Sequence, residues 1–312
     1  MTENDHTPTP FPDLWRAGRN EWWRFALSVV LIVASYGAAV SGLVLALLAV
    51  APEAVAYIGN GDAAGHAAWR RLSDRDALLS LAAILVANGS VLPITVLLVR
   101  LLHKRRARTL LTAAPRFRTA HFIASFAVAF GLSLATLPLF YLTTPERIAV
   151  SFDPARFALF LPFVLILVPF QVAGEEVFFR GYVLQSVSRF TSSFAVRLTF
   201  VSILFAVLHF ANTEVGAGGL WAMAEYVVIA FYLTYLALRG VGLEHALGLH
   251  MATNLFTTTV LGYSPTSLPA STVFFIEGFE PRLSLASTVA ICAAHYLIAF
   301  RLLRARSAAA SP

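Results

Sequence analysis

Six polar side chains interrupt three otherwise apolar stretches of the chain. They are Glu175, Glu176, Arg180, His209, His250 and Asn254. Carboxylates and imidazoles are the side chains that most often transfer protons in enzymes. A charged group inside a bilayer costs roughly 2.5 kcal/mol or more, so each one needs a partner or a purpose. These residues are therefore the candidates for chemistry.

The spacing of these residues predicts which of them share a helix face. Glu176 and Arg180 are four residues apart, so they lie on one face and can form an ion pair. Glu175 is turned by about 100° from Glu176, because a helix has roughly 3.6 residues per turn, and is left without that partner. An acid beside a satisfied ion pair in an apolar setting suits proton transfer. His250 and Asn254 also share one face.

The elements that must position these residues are membrane helices. Of 312 residues, 58% are hydrophobic and 13% are charged, about half the charged fraction of ordinary soluble domains. A soluble fold cannot cover that much apolar surface. One cysteine, Cys292, excludes a disulfide framework and a Cys-based zinc site. The excess of 23 Lys and Arg over 17 Asp and Glu indicates membrane topology rather than nucleic-acid binding.

Eight uncharged runs are candidates for membrane spans, which need about 20 mostly apolar residues each. They cover residues 25–52, 77–99, 120–144, 157–174, 198–213, 226–238, 245–263 and 283–300. The predicted fold is an all-α polytopic membrane protein of about eight transmembrane helices, with the active site inside the helix bundle. We expect a disordered cytoplasmic tail over residues 1–20, one transmembrane domain over residues 21–304 and a cytoplasmic tail over residues 305–312. The core that carries the motifs covers residues 157–262.

The basic residues predict the orientation of the helices. With both termini in the cytoplasm of a cell (inner or plasma) membrane, most Lys and Arg fall on the cytoplasmic side, above all in the loop 100–118. His209 and His250 then lie roughly 16 Å and 14 Å from cytoplasmic helix starts near residues 198 and 241. The helix of Glu175 enters the membrane from the outer side, and its length places Glu175 in the inner half of the membrane. Three helices thus bring a carboxylate, two imidazoles and a carboxamide to one level.

In this order the three segments resemble the CPBP family, the type II CAAX prenyl protease and bacteriocin-processing proteins also called Abi. The motifs are Glu-Glu-x-x-x-Arg at 175–180, Phe-x-x-x-His at 205–209 and His-x-x-x-Asn at 250–254. All three match at every defining position. The resemblance covers about residues 157–262.

The resemblance implies an intramembrane endopeptidase that cleaves a lipidated or membrane-associated peptide near its C-terminus. Glu175 would be the general base that activates water, and His209 would help to hold that water. His250 and Asn254 would stabilise the oxyanion of the tetrahedral intermediate, a role that typically contributes a factor of about 10² to 10³ in rate.

The resemblance also implies residues that support the site, and it raises the question of a bound metal. The supporting residues would be Glu176, Arg180 and Phe205. The family has been described as metalloproteases, and the ligands of a zinc ion would be Glu175, His209 and His250. A metal-free mechanism uses the same residues equally well, so both alternatives stay open.

Two other functions stay open as well. One is a transporter with a proton or cation relay through the acids and histidines, although the chain lacks repeat symmetry. The other is a catalytically idle scaffold or immunity factor. A composition rich in Ala, Arg and Leu is typical of a bacterium. In a bacterium, prenylated CAAX proteins are not expected as native substrates. The expected substrate is therefore a short membrane-associated peptide rather than a prenyl protein. The other expected partner is membrane lipid, and no nucleic-acid partner is expected.

Other polar residues are assigned no chemistry. Glu225, Glu244 and His245 lie near predicted helix ends and are interpreted as interfacial. The Gly-x-Gly-Asp string at 59–62 resembles a motif of aspartyl intramembrane proteases, but it lies in a polar loop without a membrane-embedded second aspartate.

Overall fold

The structure is a computed structural model that describes residues 9–56, 69 and 71–301. The α-helices in these ranges are α1 (Trp22–Val50), α2 (Asp74–Gly89), α3 (Val91–Leu101), α4 (Thr119–Thr143), α5 (Pro154–Glu176), α6 (Leu184–Phe190), α7 (Phe194–Leu208), α8 (Thr213–Arg239), α9 (Glu244–Thr259) and α10 (Pro281–His295). The short strands are β1 (Ile148–Val150), β2 (Leu261–Tyr263) and β3 (Phe274–Ile276). They form one sheet in the order β1-β3-β2.

The prediction of an all-α polytopic membrane protein is confirmed. Within the described residues, six helical stretches are long and apolar enough to cross a membrane: Trp22–Val50, Asp74–Leu101, Thr119–Thr143, Pro154–Phe190, Thr213–Arg239 and Pro281–Arg301. Large apolar side chains on them face outward, as lipid-facing residues do; Leu142 is 77% exposed. Helices α7 and α9 are shorter, with 15 and 16 residues. The count of eight spans therefore stays a prediction.

The helix that carries the acidic motif runs without a break from α5 into α6. It begins at Asp153, whose side chain accepts hydrogen bonds from the backbone N–H groups of Ala155 and Arg156. Between α5 and α6 the backbone forms a π-helical turn, Val177–Val183. Such turns insert an extra residue and occur often at functional sites. Here the turn directly follows the two acids.

Close backbone contacts fix α5 and α9 against their neighbours. A Cβ atom on Gly174 would lie 3.0 Å from the carbonyl oxygen of Asn88 and 3.1 Å from the Cα of Gly89, so α2 approaches α5 next to Glu175. A Cβ atom on Gly248 would lie 2.6 Å from the carbonyl oxygen of Phe122 in α4. Small residues let membrane helices pack this closely. The two helices that carry most of the polar motif residues therefore pack in direct backbone contact with α2 and α4.

The N-terminal segment differs from the prediction of a disordered tail over residues 1–20. Residues Phe11–Ala17 form a 3-10 helix, and Phe11 is fully buried. The Asp13 carboxylate pairs with Arg197 at 3.2 Å. The prediction is therefore wrong for this segment, because an apolar anchor and an ion pair hold it against the bundle. Residues 1–8, the string at 59–62 and the predicted tail 305–312 lie outside the described residues.

Candidate active site

The acidic motif forms the predicted ion pair. Nη1 of Arg180 donates to Oε1 of Glu176 at 2.9 Å, and both side chains are fully buried. The Arg180 guanidinium also lies 4.1 Å from the ring centroid of Phe205 and donates to the backbone carbonyl of Ala230. A cation over an aromatic face is stabilised by the ring quadrupole. This pair links the end of α5 to α7 and α8.

His250 on α9 lies between the two carboxylates. Its Nδ1 is 2.9 Å from Oε1 of Glu176, and its Nε2 is 3.6 Å from Oε2 of Glu175. A carboxylate paired with arginine only accepts hydrogen bonds, so Nδ1 of His250 must carry the hydrogen. The Glu176 carboxylate therefore orients the imidazole and leaves Nε2 facing Glu175.

Gln171 joins the site, although no sequence motif assigned it a role. Its Nε2 donates to Oε1 of Glu175 at 2.5 Å, and its Oε1 accepts from Nδ2 of Asn254 at 3.1 Å. Gln171 lies one helical turn before Glu175, so the spacing of four residues was the signal that could have found it. Asn254 is thereby connected to Glu175 through the amide of Gln171 rather than directly.

His209 lies at the end of α7 and stands somewhat apart from the acids. Its Nδ1 is 2.8 Å from the carbonyl oxygen of Phe205, and its ring packs 4.7 Å from that of Tyr226. Within residues 9–56, 69 and 71–301 its side chain makes no hydrogen bond to a carboxylate. It adjoins the site through the Phe205 ring, whose centroid is 4.3 Å from His209 and 6.2 Å from His250. Tyr226 is a second contact that sequence analysis missed.

One acceptor in the centre of this arrangement has no hydrogen-bond donor in the described part of the chain. Oε2 of Glu175 is buried and makes no hydrogen bond. This atom lies 3.6 Å from Nε2 of His250 on the facing helix. Oε2 of Glu175 is therefore the candidate atom for accepting a proton.

The donors needed for the predicted zinc site do not converge. In the part of the chain that the structure describes, no three His, Cys, Asp or Glu side chains form a group that could hold a metal ion. Nδ1 of His250 is bonded to Glu176 and Nδ1 of His209 to a backbone carbonyl, so each ring could bind a metal only through Nε2. As arranged, the described side chains do not form a zinc site, and the metal-dependent and metal-free mechanisms both stay open.

Comparison with known proteins agrees with the motifs. Residues 156–256 match the family model described as type II CAAX prenyl endopeptidase Rce1-like. The uncharacterized protein YyaK of Bacillus subtilis (strain 168) is 36% identical over 161 residues, which are 51% of this chain and 54% of YyaK. The chain thus spans about half the length of this curated relative. No solved structure matches. The match contains all six predicted site residues, and the resemblance to the CPBP family is confirmed.

Proposed function

We propose that this membrane protein, whose residues 156–256 are Rce1-like, is an intramembrane endopeptidase that hydrolyses a peptide bond with water activated by Glu175. The observation that carries the proposal is the pair of atoms at the centre of the site. Oε2 of Glu175 and Nε2 of His250 face each other at 3.6 Å on two different helices. A hydrogen bond on the opposite side orients each group: Gln171 donates to Glu175, and His250 donates to Glu176.

In the proposed reaction Glu175 acts as the general base. Its carboxylate takes a proton from the bound water while the water oxygen attacks the carbonyl carbon of the peptide. The tetrahedral intermediate then collapses, the C–N bond breaks, and the proton on Glu175 passes to the leaving nitrogen. The products are a peptide amine and a peptide carboxylic acid, which releases its proton to water and leaves as the carboxylate.

The oxyanion of the intermediate needs hydrogen-bond donors, and α9 offers two. Nδ2 of Asn254 carries two hydrogens, of which one is given to Gln171 and one is left for the substrate. Nε2 of His250 donates when the ring carries both hydrogens. Removing one such donor typically lowers the rate by a factor of about 10² to 10³. His209, beside the Phe205 ring, is proposed to help hold the attacking water.

Glu176 and Arg180 are positioning residues in this proposal. They do not reach the reacting atoms, but they fix the imidazole of His250 by a hydrogen bond between fully buried groups. An orienting carboxylate behind a catalytic histidine has the same task in serine protease triads.

The proposed substrate is a short membrane-associated or lipidated peptide, cut near its C-terminus from the cytoplasmic side. The proposed orientation has both termini in the cytoplasm of the cell membrane. In that orientation α6 ends, and α7 and α9 begin, on the cytoplasmic side. An extended peptide anchored in the inner leaflet is proposed to reach the site from there. Reporter fusions at Lys104 and Arg301 test it, and an external Lys104 would contradict it.

The protease proposal is tested by mass spectrometry of membrane peptides from cells that express wild type or His250→Ala. We expect peptides that accumulate only with wild type, because the variant loses an oxyanion donor. Glu53→Gln is the matched control, since Glu53 is exposed and outside the site, and it should leave the product set unchanged. Identical product sets for wild type and His250→Ala would remove the protease proposal and favour the scaffold.

A further inference from the structure

A cavity that none of the six motif residues lines lies between α4, α8, α9, α10 and the small sheet. Its volume is about 120 Å³, and a single water needs about 10–15 Å³ on the same measure. Three phenylalanines form apolar walls: Phe140, Phe256 and Phe279. The cavity therefore has room for several waters or for one small organic molecule.

The carboxylate of Glu225 lies in the wall of this cavity. Glu225 follows the kink of α8 at Gly219 by six residues, within an apolar helix. One of its oxygens accepts a hydrogen bond from Oγ1 of Thr288 at 2.8 Å. Among residues 9–56, 69 and 71–301, no basic side chain forms an ion pair with it. An ionisable group in a membrane helix is expected to have a partner, and this one has only hydroxyls.

The hydroxyl groups around Glu225 mostly present acceptors to the cavity. Thr253 and Thr257 donate to backbone carbonyls of α9, and Ser133 donates to a carbonyl of α4. Their remaining lone pairs can only accept. Ser287 differs from these residues. It is buried, and its Oγ makes no hydrogen bond in the described part of the chain. A buried polar atom without a partner needs an explanation, and a bound molecule with a donor group would supply one.

We propose that this cavity binds a protonated primary amine, with its ammonium group between Glu225 and Ser287 and its apolar part against the phenylalanines. An ammonium group has three donors and no acceptor, which matches a wall of one carboxylate and several hydroxyl oxygens. A bare inorganic cation would leave the apolar walls unfilled, and a neutral alcohol would leave the carboxylate without a counter-charge.

The cavity shares two helices with the candidate active site. On α8, Glu225 faces the cavity while its neighbour Tyr226 contacts the ring of His209. On α9, the cavity residue Thr253 donates to the carbonyl oxygen of His250. The amine site does not depend on proteolytic activity, since none of the six motif residues lines it.

The test measures the unfolding temperature of the purified full chain in detergent at increasing hexylammonium concentration. A ligand that binds only the folded state raises this temperature. We expect saturable stabilisation by hexylammonium. We expect at least tenfold weaker apparent affinity for 1-hexanol, which lacks the charge, and for hexyltrimethylammonium, which lacks N–H donors.

Two variants and one control locate the effect. Glu225→Gln should weaken hexylammonium binding at least tenfold, and Ser287→Val should weaken it as well. Glu277→Gln is the matched control, because this carboxylate is exposed in the neighbouring loop and outside the cavity. Unchanged affinity in Glu225→Gln, or equal binding of 1-hexanol, would overturn the proposal. If Glu225→Gln does not fold, wild-type affinity in Ser287→Val would overturn it.

The source of the amine is found by competition. Wild type in nanodiscs of phosphatidylethanolamine is compared with wild type in phosphatidylcholine, whose quaternary headgroup has no N–H donor. Loss of the hexylammonium effect only in phosphatidylethanolamine assigns the site to a lipid headgroup. Equal effects in both lipids assign it to a soluble amine or a peptide amine.

Discussion

Replacing Glu176 by glutamine should both destabilise the protein and slow catalysis, because this carboxylate serves two buried partners. Its Oε1 accepts from Arg180 and from His250, each at 2.9 Å, and the side chains of Glu176 and Arg180 are fully buried. Removing one partner of a buried ion pair typically costs about 3–5 kcal/mol, since the other charge is left uncompensated. That is a large part of the roughly 5–15 kcal/mol that stabilises a typical protein.

The loss of orientation at His250 gives the second effect. Without a carboxylate behind Nδ1 the imidazole is free to adopt the other tautomer, and comparable changes in triads lower kcat by up to about 10⁴. Unfolding in detergent measures the first effect, and cleavage of an anchored peptide at a temperature where the variant is folded measures the second.

A double variant separates the two effects. Glu176→Leu with Arg180→Met removes both charges, and well-packed apolar replacements of buried ion pairs are often neutral or stabilising. We therefore expect the double variant to recover most of the lost stability but not the activity. Wild-type stability in Glu176→Gln, or wild-type turnover in the double variant, would refute the reasoning.

Three further changes have distinct expected outcomes. Gln171→Leu breaks the link between Asn254 and Glu175 and leaves a buried carboxylate oxygen without its donor, so it should lower turnover at least tenfold and stability by about 1–3 kcal/mol, and wild-type turnover would contradict the link. Gly174→Val inserts a Cβ into the contact of α5 with α2 and should lower the unfolding temperature by several degrees, whereas unchanged stability would show that the helices can separate. Burial lowers the pKa of His103, in the loop after α3, from 6.5 to about 4, so the fold favours the neutral ring and wild type loses stability as the pH falls from 6.5 to 4. His103→Asn should flatten that slope in unfolding measurements, and an unchanged slope would assign the effect to another group.

The sequence predicted the parts of the site that depend on spacing along one helix. The pair of Glu176 and Arg180 follows from a separation of four residues, and the structure has it at 2.9 Å although the backbone there enters a π-helical turn. The all-helical membrane fold followed from composition and run length. These features depend on local periodicity, which one sequence contains.

The contacts between helices could not be predicted in the same way. The depth estimate assumed helix starts near residues 198 and 241, but α7 begins at Phe194 and α9 at Glu244. With the observed starts, His209 comes at the end of its helix and His250 in the second turn of its own. That His250 lies between both acids, and that Gln171 bridges to Asn254, depends on helix rotation and tilt. Packing between helices sets these quantities.

The N-terminal segment and the zinc site show the same limit. Burial of Phe11 and pairing of Asp13 with Arg197 depend on a surface that only the folded bundle provides. The three possible zinc ligands were chosen by residue type, and in the described part of the chain no three such side chains come together as a metal-ion group. Which side chains converge depends on helix packing.

Glu175-dependent hydrolysis is tested most directly by cleaving a membrane-anchored peptide in water enriched in ¹⁸O. Purified wild type and Glu175→Gln are compared in detergent, and the products are identified by mass spectrometry. The proposal predicts one ¹⁸O atom in the new carboxylate with wild type, and a loss of at least 10² in rate with a folded Glu175→Gln. Cleavage by Glu175→Gln at the wild-type rate, or a wild-type product without ¹⁸O, would contradict it.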